Sequence, residues 1–339
     1  MEVKFYPYTI KLKEEFTLSG SSRLSTPAVM VEINHDGLIG YGEASLPPYL
    51  PENQTSVIDF LKSIGLDSFD VNSEIDLILD YITNLSEGNN AAKAALDIAL
   101  YDLVGKLNSI PLYKYLNITK REDIFTSFTI GITKPDDIKR KIDAVSHYKI
   151  LKIKLGTEAD KEIVSTIRKY TDKPLFVDVN QGWSDRYFAL DMIEWLSGQD
   201  VLLVEQPLPK DKVEDMFWLR EKCSLPIIAD EAVQNLNDLE KFKDIYSGIN
   251  IKLMKAGGIR QAYRMIQRAK ELNLKIMLGC MTETSCAITA ASHLSPLADW
   301  VDLDGAELIS NDLFSGMKMK NGKIVIPDLP GLGIEKLSK

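Results

Sequence analysis

The chain has 339 residues, of which 45% are apolar and 26% are charged, as is usual for a globular protein. These fractions exclude a disordered, collagen-like or coiled-coil protein. The 49 acidic and 40 basic side chains leave a net charge of -9, so the chain lacks the basic surplus that nucleic-acid binding requires.

Cysteine spacing and hydropathy indicate the compartment. Cys223, Cys280 and Cys286 form no Cys-x-x-Cys motif and cannot all pair, which favours a reducing environment. No apolar run has the length of a signal peptide or of a membrane-spanning helix. We therefore expect a cytoplasmic protein with no membrane or nucleic-acid partner, and whether it forms a homo-oligomer stays open.

The first third of the chain predicts an α+β domain. Residues 3–12 and 28–34 alternate like strands, and residues 37–43 read as a turn into a third strand. Small and apolar side chains recur at helical spacing over residues 90–107. We assign this domain to residues 1–118 and expect the tail, residues 312–339, to return to it.

The remainder, residues 119–311, is regular. Eight short apolar runs recur about every 25 residues, with amphipathic stretches between them, which is typical of a (β/α)8 barrel. A doubly wound sheet also alternates strand and helix. The barrel is favoured because the units are equal and no Gly-x-Gly-x-x-Gly follows the first run.

Three acids stand at equivalent strand ends. Asp178, Glu205 and Asp230 close the third, fourth and fifth runs, and barrel enzymes carry their chemistry at the carboxyl ends of the strands. Three converging carboxylates repel one another unless a cation joins them, and oxygen ligands of this kind suit Mg2+. The alternative is that each acid caps the helix that follows it.

Two lysines lie on opposite sides of the predicted ring. Lys154 ends the second run and Lys252 lies in the sixth, so they would face each other across the barrel mouth. This placement indicates a proton transfer, in which one lysine removes an α-proton from a carboxylate substrate and the other returns it on the opposite face. The alternative is that the lysines only form ion pairs with the acids.

At this point the motifs resemble those of a known family, the muconate-lactonizing-enzyme subgroup of the enolase superfamily. The resemblance covers nearly the whole chain and implies a modified (β/α)7β barrel with an α+β capping domain. It implies Mg2+ on the three acids, Lys154 and Lys252 as the acid/base pair, and Lys152 as a contact to the substrate carboxylate. The motifs that carry it are Lys152-x-Lys154, Asp178-x-Asn180, Glu205-Gln206-Pro207, Asp230-Glu231, Lys252 and Gly257-Gly258, and Asn180 and Glu231 are expected to support the metal ligands.

Within this subgroup, the end of the eighth run separates the activities. Asp302-x-Asp304 is similar to the motif with which dipeptide epimerases hold the free ammonium group of the substrate, although such a motif is also common in loops. Residues 18–26 look like the mobile lid loop of the family. By the same resemblance, Arg23 in that loop would bind the side-chain carboxylate of a glutamate in the substrate. The alternative is that Arg23 is a solvated surface residue.

The resemblance thus implies an isomerase, a Mg2+-dependent epimerase of L-Ala-D/L-Glu that acts at the α-carbon of the second residue. Thr129 is expected to line the pocket, and Met281 and Thr282 to contact the peptide bond through backbone groups. An o-succinylbenzoate synthase or an N-acylamino acid racemase on the same scaffold stays open. A catalytically silent barrel that binds a ligand through a metal is the alternative from another class.

Overall fold

The structure, a computed structural model, describes residues 1–71 and 74–338; Lys339, the end of the predicted tail, lies outside the described residues. The chain opens with an antiparallel sheet whose strands neighbour one another in chain order. Helices then cover this sheet. These first elements are β1 (Glu2–Leu18), β2 (Ser21–His35), β3 (Leu38–Ser45), α1 (Gln54–Lys62), α2 (Ile75–Asn84), α3 (Asn90–Leu107) and α4 (Leu112–Tyr115).

The hairpin of β1 and β2 is longer than the sequence predicts. The two strands pair as far as Leu18 and Ser21, so only Ser19 and Gly20 form the turn. The prediction of a loop over residues 18–26 is therefore wrong. Serine and threonine side chains pair well in an exposed ribbon, and Gly20 takes the positive φ of 80° that a two-residue turn requires. A bulge interrupts the pairing between Lys11 and Phe16.

Helix α3 has the bounds that its periodicity predicts, but it is buried on nearly every side rather than along one stripe. It lies between the antiparallel sheet and the second domain. Gly42 of β3 permits this close packing, because a Cβ atom there would come within 1.9 Å of the Ala95 carbonyl oxygen. Asp97 of α3 accepts hydrogen bonds from the backbone amides of Ile259 and Arg260 and so ties the two domains together.

All eight apolar runs are parallel strands of one sheet. The strands follow chain order around this sheet, and a bridge between Thr126 and Val301 joins its two edges into a nearly closed barrel. The doubly wound alternative is wrong, because the strand order never reverses. The strands are β4 (Ser127–Ile130), β5 (Ile150–Lys154), β6 (Leu175–Asp178), β7 (Val201–Glu205), β8 (Ile227–Ala229), β9 (Gly248–Ile251), β10 (Lys275–Gly279) and β11 (Trp300–Asp302).

Helices pack around the outside of this barrel, which confirms the predicted modified barrel with an α+β cap. None of the helices in the described part of the chain is both long and apolar enough to cross a membrane. The helices are α5 (Pro135–Ala144), α6 (Asp160–Arg168), α7 (Arg186–Ser197), α8 (Val213–Arg220), α9 (Leu236–Phe242), α10 (Leu253–Ala256), α11 (Ile259–Glu271) and α12 (Ser285–Ser292).

The tail contacts the antiparallel sheet. Lys336 forms an ion pair of 2.6 Å with Glu32, and the ring of Phe314 packs against Tyr41 at 5.2 Å. These contacts support our proposal that residues 312–339 complete a cap that begins with residues 1–118, beside a barrel of residues 119–311. The strands of the tail are β12 (Phe314–Ser315), β13 (Lys318–Lys320), β14 (Lys323–Val325) and β15 (Glu335–Lys336).

Candidate functional site

The three predicted acids meet at the mouth of the barrel. Asp178 ends β6, Glu205 ends β7 and Asp230 follows β8, and the parallel register places the first two opposite each other. All three are buried, and one oxygen from each carboxylate lies within 4.8 Å of the others. A cluster of this kind could hold a metal ion.

None of the three acids caps the helix that follows it. Helix α7 begins after Asp185, whose side chain accepts hydrogen bonds from two amides of the first turn. Helix α9 begins after Asn235, which forms a capping box, and α8 begins after Lys212. The alternative that the acids are merely helix caps is therefore wrong.

The predicted lysines contact these acids directly. The Nζ atom of Lys154 lies 2.6 Å from Asp178, and that of Lys252 lies 2.8 Å from Asp230. Burial alone would lower the pKa of Lys252, but Asp230 raises it well above the usual value. The ion pairs considered as an alternative do form, yet Lys154 and Lys252 still approach the cluster from opposite sides of the ring, on β5 and just after β9.

Lys152 lies between the cluster and the end of β11. Its Nζ is 2.8 Å from Glu205, 3.1 Å from Asp178 and 2.8 Å from Asp302. Burial would lower the pKa of this amine, but the three carboxylates raise it well above its usual value. Lys152 therefore holds a positive charge where the negative charges of the site converge.

Several buried acceptors near the cluster have no hydrogen-bond donor among the described residues. Glu205 Oε2 approaches Lys152 without the geometry of a hydrogen bond, and Asn180 Oδ1, Glu231 Oε2 and Asn250 Oδ1 have no partner. Burial and then the charge of Asp230 raise the pKa of Glu231 to about 7. A buried acceptor without a partner costs about 1–3 kcal/mol, so these oxygens fit a site that binds a cation and its water ligands.

The sequence analysis assigned no role to Asn250, Lys255 or Gln206, although all three support the acids. Asn250 donates a hydrogen bond of 2.7 Å to Glu205, and Lys255 forms an ion pair with the carboxylate of Asp230. The side-chain oxygen of Gln206 accepts the Asp230 amide at 3.0 Å. The signal in the sequence is a polar residue inside a buried strand, such as Asn250 in β9, which needs a partner.

A cavity lies at the carboxyl ends of the barrel strands, beneath the cap, and is named here the inner cavity. The three lysines lie between this cavity and the acids. The cap contributes Leu18, which lies in the predicted lid segment, together with Tyr49 and Phe16, of which Phe16 was not predicted. Predicted residues that line the cavity are Arg23, Thr129, Lys152, Lys154, Asn180, Lys252, Met281, Thr282, Asp302 and Asp304.

The two aspartates after β11 differ in their partners. Both oxygens of Asp302 are occupied, one by the Ser127 hydroxyl at 2.7 Å and the other by Lys152 at 2.8 Å. Asp304 accepts one hydrogen bond, from the Thr129 amide at 2.6 Å to Oδ2. Burial and the neighbouring Asp302 raise the pKa of Asp304 to about 7. Among the described residues, no hydrogen-bond donor reaches Oδ1 of Asp304, whereas each oxygen of Asp302 already accepts a hydrogen bond.

Arg23 is half-buried against the inner cavity and is not a fully solvated surface residue. Its Nε donates to the Thr26 hydroxyl at 3.2 Å, and its guanidinium lies 5.4 Å from the centre of the Phe16 ring. Among the described residues, no carboxylate forms an ion pair with Arg23. Burial lowers the pKa of this guanidinium, and an anionic ligand would relieve that cost.

The backbone groups expected to contact a peptide bond are partly occupied. The Met281 amide donates to Glu283 at 3.1 Å, and the Thr282 carbonyl accepts the Ser45 hydroxyl at 2.8 Å. The cap and the strand-end turn therefore use these two groups, while Met281 and Thr282 both line the inner cavity. Tyr49 donates to the sulfur of Met281 at 2.7 Å and so joins the cap to this part of the wall.

Two family descriptions match the chain. Residues 1–116 match the mandelate racemase / muconate lactonizing enzyme N-terminal domain, and residues 137–337 match the enolase C-terminal domain-like family. A protein of Bacteroides thetaiotaomicron named L-Ala-D/L-Glu epimerase is 49% identical over 338 residues, which is 99% of this chain and 88% of that protein.

Two solved structures share the whole architecture. The substrate-liganded L-Ala-D/L-Glu epimerase from Bacillus subtilis superposes with a TM-score of 0.94 at 28% identity, over 100% of this chain and 99% of that one. A dipeptide epimerase from Enterococcus faecalis, solved with Mg and L-Leu-L-Tyr, superposes with a TM-score of 0.91 at 32% identity, over 98% of each chain.

Proposed function

The chain belongs to the enolase superfamily, in the group of mandelate racemase and muconate lactonizing enzyme, and on that basis we propose that it is a Mg2+-dependent dipeptide epimerase. The observation that carries the proposal is the placement of Lys154 and Lys252. They lie on opposite sides of one buried acid cluster and line the same cavity. A base on each face of a planar reacting carbon is what inversion at that carbon requires.

Asp178, Glu205 and Asp230 would hold the metal. Their ligand atoms are all carboxylate oxygens, which suit Mg2+, and relatives of this fold were solved with Mg bound. When bound, Mg2+ would withdraw negative charge from the substrate carboxylate and make the α-proton more acidic. Asn250 and Lys255 hold Glu205 and Asp230 in place for this role.

The two lysines then exchange one proton for another at the α-carbon of the second residue. For one epimer, Lys154 Nζ accepts the proton, and the electron pair of the broken C–H bond is delocalised into the carboxylate. Lys252 Nζ donates a proton to the opposite face and leaves the inverted carbon. The other epimer uses the lysines in reverse order.

We assign different roles to the two aspartates of the Asp-x-Asp motif. One oxygen of Asp304 has no donor within the described part of the chain, and it would bind the free ammonium group of the dipeptide. Asp302 holds the Nζ of Lys152, which would contact the substrate carboxylate, so Asp302 is a positioning residue.

L-Ala-D/L-Glu is the substrate that these features support best. Arg23 lines the inner cavity, and no acidic residue in the described ranges pairs with it, so it can receive the side-chain carboxylate of a glutamate. Two of the most similar proteins carry the name L-Ala-D/L-Glu epimerase. An N-acylamino acid racemase would leave Asp304 without a cation, and an o-succinylbenzoate synthase would place an anionic substrate beside it.

The test is incubation of L-Ala-L-Glu with the enzyme and Mg2+ in D2O. We expect the second residue to invert and to gain one deuterium, observed by mass spectrometry and chiral separation. Lys154→Ala should abolish inversion, whereas Lys161→Ala, an exposed lysine on α6, should not. If no dipeptide in a library gains deuterium, the proposal of a dipeptide epimerase fails.

A further inference from the structure

A second cavity, named here the outer cavity, lies beside the inner one between the β1 bulge and helix α5. Its volume is about 350 Å³, within the range of pockets that hold small molecules. Most of its accessible lining is apolar and comes from residues such as Leu12, Phe128, Ile130, Val145 and Tyr148. Charged residues also line it, namely Lys13, Glu14, Glu15, Arg140, Lys141 and Glu307. Nothing in the proposed reaction so far uses this space.

The two cavities share a wall. Phe16, Thr129 and Leu308 line both of them, so these side chains separate the outer cavity from the inner one. Phe16 ends the β1 bulge, and Leu308 belongs to the 3-10 helix that starts directly after Asp304. The wall therefore consists of one residue from the cap and two from the barrel.

Hydrogen bonds hold the two halves of the wall together. The Ser310 amide donates to the Lys11 carbonyl at 2.8 Å, and the Lys13 amine donates to the Glu307 carbonyl at 2.8 Å. At the outer rim, Glu14 pairs with Arg140 at 2.8 Å across the boundary between cap and barrel. The bulge thus has a defined position against the segment that follows Asp304.

The wall stands next to the group that would bind the substrate ammonium. Thr129, a wall residue, donates its amide hydrogen to Asp304. In an amino acid the side-chain carbon lies about 2.5 Å from the amino nitrogen, two bonds away. When Asp304 holds the ammonium group, the first side chain of the dipeptide must therefore begin close to this wall.

We propose that Phe16 and Leu308 set the size of the N-terminal side chain, and that the outer cavity is a latent subsite for apolar N-terminal residues. This inference rests on the proposed function. With the wall in place, the space beside Asp304 suits the methyl group of alanine. With the wall removed, the inner and outer cavities join, and a leucine or phenylalanine side chain has an apolar volume to enter.

The experiment compares kcat/KM for L-Ala-L-Glu, L-Leu-L-Glu and L-Phe-L-Glu. Leu308→Ala and Phe16→Ala should each raise the ratio of the large to the small substrate by about 10- to 200-fold, the effect of one or more methylenes in a hydrophobic pocket. The matched controls Leu337→Ala and Phe217→Ala, both exposed and away from the cavities, should leave the ratio unchanged.

A second variant tests the subsite itself. Ala144 of α5 lines the outer cavity but not the inner one, so Ala144→Phe in the Leu308→Ala background should reverse the gain for L-Leu-L-Glu. Phe16→Ala also removes the ring that packs against Arg23, so Leu308→Ala is the decisive variant. If circular dichroism shows that Leu308→Ala does not fold, Phe16→Ala takes its place.

The outcomes separate this inference from the function on which it rests. If the native enzyme inverts no dipeptide, the proposed function fails. If the native enzyme inverts L-Ala-L-Glu but neither wall variant changes the ratio, the function stands and the wall does not select the N-terminal residue. If Ala144→Phe does not reverse the gain in kcat/KM for L-Leu-L-Glu, the larger side chain binds elsewhere and the outer cavity is not the subsite.

Discussion

Acetylation of the dipeptide and substitution of Asp304 are expected to interfere with the same contact. The acetyl group removes the positive charge of the substrate ammonium, and Asp304→Asn removes the negative charge that would receive it, with almost no change in shape. Asp304 is buried and has one protein donor, the Thr129 amide. The ammonium group would therefore be its main charged partner at close range besides Lys152.

The expected magnitude follows from this burial. Removal of one member of a buried, hydrogen-bonded charge pair costs about 2–5 kcal/mol, which corresponds to about 30- to 5000-fold in kcat/KM. In Asp304→Asn the remaining contact is a hydrogen bond from the charged ammonium to a neutral amide oxygen, worth about 1.5–3 kcal/mol. Acetylation should then cost only about 12- to 160-fold. The two effects should thus be non-additive.

The assay measures kcat/KM for L-Ala-L-Glu and its N-acetyl derivative in the native enzyme and in two variants. Asp302→Asn is the matched control, because both oxygens of Asp302 are already used by Ser127 and Lys152. This control should lower kcat/KM for both substrates and keep their ratio. Equal rates for the free and acetylated dipeptide in the native enzyme would refute the reasoning and favour an N-acylamino acid racemase.

Four further outcomes are expected. Arg23→Ala should lower kcat/KM for L-Ala-L-Glu at least tenfold more than for L-Ala-L-Leu, because only glutamate offers a carboxylate; equal losses would exclude the contact. Glu205→Gln should weaken Mg2+ binding measured by calorimetry, and native affinity would remove Glu205 from the metal site. Inversion should be abolished in both Lys154→Ala and Lys252→Ala, but the two variants should differ in which epimer still exchanges its α-proton in D2O. Inversion at the native rate in either variant would exclude that lysine as an acid/base residue. Burial and Asp302 raise the pKa of Asp304 to about 7, and only the Asp304 anion pairs with ammonium. The ratio of kcat/KM for the free dipeptide to kcat/KM for the acetylated dipeptide should therefore rise as the pH increases through about 7. If this ratio does not depend on pH, the prediction is contradicted.

The positions of the three acids and of the lysines could be predicted because they depend on local periodicity. In parallel strands of a barrel, the last residues all reach the same end, so Asp178, Glu205 and Lys154 must approach one another once the strands are counted correctly. Side-chain alternation then places Lys152 and Lys154 on one face. No long-range contact needs to be known for these inferences.

The details of the capping hairpin could not be predicted in this way. A polar segment with a glycine is compatible with a loop and with an exposed hairpin, because both leave the side chains in water. Pairing along β1 and β2 as far as Leu18 and Ser21 decides the matter. It also places Phe16 and Arg23 opposite each other, at the edge of the inner cavity.

The partners of the buried charges were likewise decided only by the tertiary structure. The sequence by itself determined the barrel, the cap and the acids and lysines at the strand ends, since hydrophobic period and strand polarity are local properties. It could not show that Lys152 pairs with Asp302 and leaves Asp304 available, since these residues are about 150 positions apart in the chain. Which of two neighbouring carboxylates meets a lysine depends on the closure of the barrel, which brings the end of β11 beside β5 through β4.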